Sequence, residues 1–453
     1  MTELRAGSRV HVVGIGGAGM SGLARLLVDM GAVVSGSDAV DSSALEGLRR
    51  AGVAVTVGHD AQSGLGAEVV LWSPAVRDDN VELVAARDRA CTLLSRAQAL
   101  AQLGESRRII GLTGTHGKTT ATSMMVHVMR ASGAPVGWLV GADVVGVGPN
   151  GYGGSGDLLM EVDESYGTFA LLRPYALGLL NVEADHLDHY GSLRVLDGAF
   201  TSLLERVSGP VVLWSDDEGA ERVAAAARRD VVRVGTGDRV DWRVERMSLS
   251  RRASSFSLVG ANLHFDVGLR VTGAHNVANA AVVAALAMEL DVSATAVAQG
   301  LARFEGAPRR FELLGSWRGV DVYEDYAHLP GEVAATLAGA RAAGYDRVTA
   351  VFQPHRVTRT TALANAFAPA FDLASAVVVT DIYAAGEANP DGVTGEVVAH
   401  AVRERGVTDV TYCASLADLP AVLATLRDRS DVVVLLGAGD VASIAARLDG
   451  GLR

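Results

Sequence analysis

Residues 109–128 read IIGLTGTHGKTTATSMMVHV. An apolar strand runs into a turn of Gly, Thr, His and Lys, and a helix with its apolar positions on one side follows. Backbone N–H groups at the start of such a helix face an anion and the lysine adds charge, so the layout suits a phosphate. The common nucleoside-triphosphate loop carries a glycine five residues before its Gly-Lys pair. Here that position is Leu112, with Gly111 and Gly114 on either side. Gly114, Thr115, His116, Gly117 and Lys118 therefore form either a variant nucleotide loop or a glycine-rich turn that contains a lysine. In the first case Lys118 neutralises β- and γ-phosphate oxygens, and a hydroxyl of Thr119 or Thr120 binds Mg²⁺. In the second the threonines cap the helix, and both roles can hold together.

Downstream, LLMEVDES places Glu161, Asp163 and Glu164 at the end of an apolar strand, and NVEADHLDHYG places Asp185, His186, Asp188 and His189 after another. A lone acid or histidine there reads as a solvated turn residue. Two such clusters beside a Lys/Thr loop suit a hard cation that bridges a nucleotide and a substrate.

A second glycine turn opens the chain. VVGIGGAGMSG matches G-x-G-x-x-G through Gly14, Gly16 and Gly19, between a strand and a helix. Asp38 ends the next strand, 19 residues beyond Gly19, where a ribose-binding acid is expected. The pattern reads as a dinucleotide or nucleotide-diphosphate site, and does not separate a nicotinamide cofactor from a UDP-sugar.

The elements that must position these residues fall into three units. At 453 residues the chain has length for about three domains. Short strand–helix units run from the first glycine turn to about residue 104. The second unit begins at the lysine loop, includes the strand GPVVLWSD and a β-rich stretch near 240–272, and closes with the helix NVANAAVVAALAMEL. The third starts near FEGAPRRFELLGS and carries the apolar strands RVTAVFQ, SAVVVTDIY and DVVVLLGAG. Strands alternating with helices imply mostly parallel sheets, whose ligands collect at the carboxyl ends of strands, where every stretch named above lies. A formal charge of −12 argues against nucleic-acid or anionic-membrane partners. Cys91 and Cys413 cannot build a metal site or a disulfide framework. With no signal-like or membrane-length apolar run, a soluble cytoplasmic protein is expected.

GIGGAGMSG, GTHGKTT, EVDES, NVEADHLDHYG, GAHNVANA, RRFE, EDYAH and FQPHRVTRT occur in this order. Together they resemble the Mur ligases of peptidoglycan synthesis, over residues from about 10 to 445, and the ordered set is far more specific than any one motif. The resemblance implies an α/β fold of three domains: an N-terminal Rossmann-like domain (1–104) for the UDP-sugar, a central P-loop-type ATPase domain with a mostly parallel sheet (105–307), and a C-terminal Rossmann-like α/β domain (308–453) for the amino acid.

It also implies the chemistry: ATP phosphorylates the carboxylate of UDP-N-acetylmuramate, and the amine of an amino acid, L-alanine here, attacks the acyl phosphate, leaving ADP and phosphate. On the matching positions, Lys118 would hold the transferred phosphate, Thr119 or Thr120 one Mg²⁺, and Glu161 and His186 would organise metals and acyl-phosphate oxygens. Asn276 and Asn279 would contact adenine, with His275 beside them. Arg310 would reach the ATP phosphates and Asp325 the ribose. His355, Arg356 and Arg359 would receive the amino acid, the two arginines sharing one face if a helix begins there. Gly14, Gly16, Gly17, Gly19, Met20, Ser21, Ser37 and Asp38 would hold the UDP part.

Three positions depart from the pattern: Tyr166 where this subfamily commonly has Asp, and Leu329 and Gly331 where His and Thr are common. They lie close to where the amino acid is chosen. Two further functions compete. A nicotinamide dehydrogenase leaves GTHGKTT and both acidic clusters without work, and a non-catalytic nucleotide module leaves Lys118, Glu161 and His186 unexplained. A sibling ligase that joins a preformed peptide to the same sugar is the nearest alternative.

Overall fold

The computed structural model describes residues 4–260, 262–407, 409–448 and 451–452. The continuous apolar runs become central strands. Ile109–Thr113, Val348–Phe352, Ala376–Thr380 and Val432–Leu436 are buried at every position, as parallel strands covered on both faces require.

The first sheet sets Ala54–Val57, Val33–Asp38, Arg9–Val13, Val69–Trp72 and Thr92–Ser95 side by side, all parallel. The winding reverses at Arg9–Val13, so its carboxyl end opens the crevice of a doubly wound sheet. The turn 14–19 lies there, and the helix Ala18–Asp29 leaves from it. The helix Arg96–Ser106 then carries the chain to the second sheet.

That sheet has ten strands. At its middle Ile109–Thr113 lies between Ala176–Leu179 and Leu158–Glu161, parallel to both. The β-rich stretch supplies Trp242–Leu249, Ser254–Val259 and His264–Leu269 at one end. The Ala-rich helix Ala274–Glu289 packs with its small side chains buried.

The third sheet orders Glu312–Trp317, Val320–Asp325, Val432–Leu436, Val348–Phe352, Ala376–Thr380 and Val410–Cys413. The first pair is antiparallel and the rest parallel. Its hairpin turns on Arg318 and Gly319, at φ 50° and 91°, the left-handed pair that a two-residue turn needs to match strand twist.

Two compact units emerge. One holds the first two sheets (residues up to 248, 255–270 and 275–307); the other holds the third sheet with residues 249–254 and 271–274. Within the second unit the tip 249–254 is fastened by Arg252 to Asp321 at 2.6 Å and by the Arg251 guanidinium over the Tyr345 ring at 4.9 Å. Among the described residues no helix is long and apolar enough to cross a membrane.

Candidate active site

The lysine loop is built by its neighbours. Gly117 caps the helix Lys118–Ala131 in a left-handed conformation, φ 83°, and no side chain occupies the cap. A Cβ at Gly117 would stand 2.7 Å from the Asn279 amide oxygen, so the turn and the asparagine meet directly. Asn181, just past the neighbouring strand, fastens the other half of the turn. Its side chain accepts from the His116 N–H at 2.7 Å and donates to the His116 carbonyl at 3.1 Å. Thr115 is used in the same way, its hydroxyl accepting from the Glu183 N–H at 2.9 Å. The His116 ring lies 3.5 Å from Glu183.

Lys118 points back over the turn. Its ammonium donates to the carbonyls of Gly114 (2.7 Å) and Thr115 (3.1 Å) and to both oxygens of Glu164 (2.9 and 2.8 Å). Burial opposes its charge, but Glu164, Asp163 and Glu161 outweigh burial and hold the lysine above its ordinary range, so it stays protonated. Glu164 is itself fixed from behind, where the Tyr190 hydroxyl donates to its carbonyl at 2.6 Å.

Of the two candidate hydroxyls, Thr119 meets the predicted carboxylate: it donates to Glu161 at 3.0 Å, and the Gly141 N–H donates to the same oxygen at 2.7 Å. A hydroxyl and a carboxylate beside a phosphate cradle are hard oxygen donors of the kind Mg²⁺ takes, so this pair fits that ion. Thr120 is buried within the helix and has no such partner. His186 is not brought to Glu161 by any hydrogen bond or ion pair. It has a left-handed backbone, φ 51°, and its ring faces Asp185 at 3.8 Å. Asn276 and Asn279 are buried on one helix while His275 is exposed.

At the first sheet, Asp38 accepts from the Gly16 N–H at 2.8 Å, and a Cβ on Gly16 would stand 2.9 Å from the same carboxylate oxygen. Gly14 and Ile15 donate to the Ser37 carbonyl at 2.9 and 3.0 Å, which pins the turn to the end of the second strand. Gly17 caps the following helix with no side-chain partner. Met20, Ser21 and Ser37, expected to face the UDP part, are turned into the fold instead. Met20 joins the core, the Ser21 hydroxyl donates to Ala18, and the Ser37 hydroxyl donates to Glu82. These three can offer only backbone.

Arg96 escaped the sequence reading. Its guanidinium lies against Gly19, where a Cβ would be 2.5 Å from Cζ, and reaches Asp163 at 3.7 Å. It links the first glycine turn to the acidic cluster of the second sheet. Its position as the first residue after the capping Ser95 was the available signal.

In the other unit, the paired arginines divide their work. Arg309 is spent on structure, bonding Glu324 at 2.6 Å and the carbonyls of Gly437 and Gly439. Arg310 is exposed and lies over the Tyr326 ring at 5.4 Å. Asp325 accepts from the N–H groups of Phe311 (2.7 Å) and Ala327 (2.8 Å). Burial pushes it up to about 6 against the pull of Arg310 and those donors.

The motif FQPHRVTRT follows the strand Val348–Phe352. Its helix begins at Val357, so Arg356 is the residue before it, at φ 69°, and does not share a helical face with Arg359. The expected i, i+3 pairing fails because the chain turns sharply at Arg356, whose N–H donates to the Tyr383 carbonyl at 2.9 Å. Arg359 instead meets His355, its guanidinium 3.3 Å from Nδ1. The His355 ring stacks on Tyr383, at 5.7 Å and 8°, and meets His328 edge-on at 5.8 Å. Burial, then His328, Arg359 and Arg356, press His355 down to about 4, so it is neutral and its Nδ1 accepts from Arg359. Leu329 and Gly331 start the helix that follows His328, with Glu332 accepting from the N–H groups of both His328 and Leu329. Tyr166 is exposed at φ 53°.

Two glycine turns at the carboxyl ends of parallel strands, the second with a buried ammonium and a Thr–carboxylate pair, define an α/β enzyme that uses nucleotides. Three family models match in succession: the Mur ligase family catalytic domain over residues 9–108, the Mur ligase middle domain over 112–287, and the Mur ligase glutamate ligase domain over 309–439. The chain is 40% identical over 450 residues to the UDP-N-acetylmuramate–L-alanine ligase of Myxococcus xanthus, covering 98% of this chain and 95% of the relative. It is 43% identical to the enzyme of that name from Kineococcus radiotolerans, covering 96% and 94%. Among solved structures, the UDP-N-acetylmuramate-alanine ligase MurC of Thermotoga maritima superposes with a TM-score of 0.82 at 29% identity, covering 97% of this chain and 98% of that one. A murein peptide ligase of Psychrobacter arcticus gives 0.71 at 25%, covering 98% of each. The chain belongs to the Mur ligase family. It is an ATP-dependent, amide-bond-forming ligase of peptidoglycan synthesis.

Proposed function

We propose that the chain joins L-alanine to the carboxylate of UDP-N-acetylmuramate, acting in the cytoplasm. A carboxylate oxygen of the sugar takes the γ-phosphoryl group of ATP and ADP leaves. The amine of alanine then attacks the acyl carbon, and phosphate departs with that oxygen as the amine gives up a proton. The observation that carries this reading is the meeting of Thr119 with Glu161 beside the charged Lys118, because phosphoryl transfer asks a protein mainly for positioning and charge neutralisation.

In this scheme Lys118 exchanges the carbonyls of Gly114 and Thr115 for phosphate oxygens and keeps its pairing with Glu164. Thr119 and Glu161 would hold Mg²⁺, which when bound neutralises phosphate charge, and His186 serves the acyl-phosphate oxygens. Asn276 and Asn279 face adenine, with His275 beside them. Arg310 supplies positive charge for phosphate and Asp325 an acceptor for ribose. Residues 1–104 hold the UDP part on the turn 14–19 and Asp38, residues 105–307 hold ATP, and 308–453 hold the amino acid through His355, Arg356 and Arg359. The high similarity to ligases named for L-alanine supports that amino acid over a preformed peptide. Phosphate release with ATP and UDP-N-acetylmuramate, screened across amino acids and the murein tripeptide, tests it. Alanine should be preferred, and preference for the tripeptide would replace this reading with the recycling one.

A further inference from the structure

A buried asparagine fastens the second sheet to the helix that leaves the first glycine turn. Asn150 is 6% exposed. Its Nδ2 donates to the Ala18 carbonyl at 2.9 Å and to the Ser21 hydroxyl at 3.1 Å, and its Oδ1 accepts from Arg25 at 3.4 Å. Both amide donors and the amide oxygen are therefore engaged on one helix, Ala18–Asp29. Ser21 is the receiving half of this clamp. Its hydroxyl accepts from Asn150 while donating to Ala18, which gives a physical reason for a residue of the glycine motif to face the fold. Two glycines permit the close approach: a Cβ on Gly151 would overlap the Gly22 carbonyl. Arg96 meets the same helical turn at Gly19 and reaches Asp163 at 3.7 Å.

The loop that carries Asn150 touches the phosphoryl site at its other end. The Val140 N–H donates to the Asn150 carbonyl at 2.8 Å and the Asn150 N–H to Asp143 at 2.9 Å, so residues 140–150 close into a ring. Gly141, the next residue, donates its N–H to Glu161 at 2.7 Å, on the oxygen that also accepts from Thr119. A Cβ on Gly141 would stand 2.8 Å from that oxygen and 3.0 Å from the Thr119 hydroxyl. The ring thus reaches from the Thr–carboxylate pair to the first turn of the helix behind the diphosphate turn. We propose that Asn150 is a positioning residue for phosphoryl transfer. Through Ala18 and Ser21 it fixes the first glycine turn relative to Thr119 and Glu161, so that the sugar carboxylate meets the γ-phosphate of ATP in line. Its amide is spent on protein groups, so it adds alignment and no binding contact. A misplacement of about 1 Å costs on the order of 100-fold in rate. This inference rests on the assignment of the UDP-sugar to the first sheet and of ATP to the lysine loop.

Affinity and rate separate this role from a merely structural one. Calorimetry on the full chain measures UDP-N-acetylmuramate alone and a non-hydrolysable ATP analogue with Mg²⁺ alone. Rapid quench measures single-turnover ADP formation with all substrates saturating. Asn150→Ala should keep both dissociation constants within about threefold and slow ADP formation about tenfold or more. Ser21→Ala removes one of the two bonds and should slow it by a smaller factor at unchanged affinities. The double variant should be no slower than Asn150→Ala, because both side chains serve one clamp. An Asn150→Ala variant that binds both ligands normally and forms ADP at the wild-type rate would overturn the inference. So would a rate loss matched by an equal loss of UDP-sugar affinity, which would make Asn150 part of the binding site. If Asn150→Ala does not fold, as loss of both affinities together would report, Ser21→Ala decides, and a wild-type rate there overturns the clamp. A wild type that binds no UDP-N-acetylmuramate would instead overturn the assignment on which the inference rests.

Discussion

Lys118 donates to both oxygens of Glu164, at 2.9 and 2.8 Å, from within the turn assigned to ATP. The cation and its counter-charge come from different strand ends, 46 residues apart. The Glu164 side chain is 1% exposed and that of Lys118 13%, so neither charge is tolerated alone. Glu164→Ala is expected to lower unfolding free energy by roughly 3–5 kcal/mol, read by urea unfolding. Lys118→Met should cost several orders of magnitude in kcat while leaving UDP-N-acetylmuramate affinity nearly unchanged. Full activity in that variant would reduce the loop to a structural turn.

At the first turn, a side chain at Gly16 must displace Asp38, and one at Gly19 must displace the Arg96 guanidinium. Gly16→Val and Asp38→Ala should therefore raise KM for the UDP-sugar well above any change for ATP. Steady-state kinetics with each substrate varied checks this, and equal effects on both would show the first domain misassigned.

Asp325 gives a pH signature. Its carboxyl is raised from 3.8 to about 6 by burial, so the folded chain holds that proton more tightly than the unfolded one. The resulting stabilisation is fully present below about pH 4 and is lost as pH rises through about 6, a change of about 3 kcal/mol. The stability of wild type relative to Asp325→Asn should fall across that window in urea titrations. A pH-independent difference would mean that Asp325 is ionised throughout.

In the acceptor motif, Arg359 is oriented by neutral His355 rather than by helical pairing with Arg356. A guanidinium grips a carboxylate with two parallel bonds, which lysine cannot reproduce. Arg359→Lys is expected to raise KM for alanine about tenfold, on the order of 1.4 kcal/mol, with KM for ATP and the UDP-sugar little changed. Normal alanine kinetics would move the acceptor site toward Leu329 and Gly331.

The central strands and both glycine turns were legible in the sequence because apolar runs and glycine punctuation are local signals. So was the place of Glu161 at the end of an apolar strand, which the structure sets beside the strand that leads into the loop. Side-chain direction was not: Met20, Ser21 and Ser37 lie at or beside the first glycine turn with their side chains turned into the fold, since position on a helix turn (Met20, Ser21) or on a pleated strand (Ser37) decides which side meets the core. Partners distant in the chain were also hidden, as with Asn181 behind His116 and Arg96 across Gly19. The hairpin at Arg318–Gly319 lacks the Asn-Gly signal of such turns, and the left-handed Arg356 contradicts the usual preference of its residue type.

The most direct test follows one oxygen atom. With UDP-N-acetylmuramate carrying ¹⁸O in its carboxylate, alanine and ATP, an acyl-phosphate route transfers one ¹⁸O into the released phosphate and yields ADP, as ³¹P NMR or mass spectrometry would record. Unlabelled phosphate, or label in AMP with release of pyrophosphate, would contradict it.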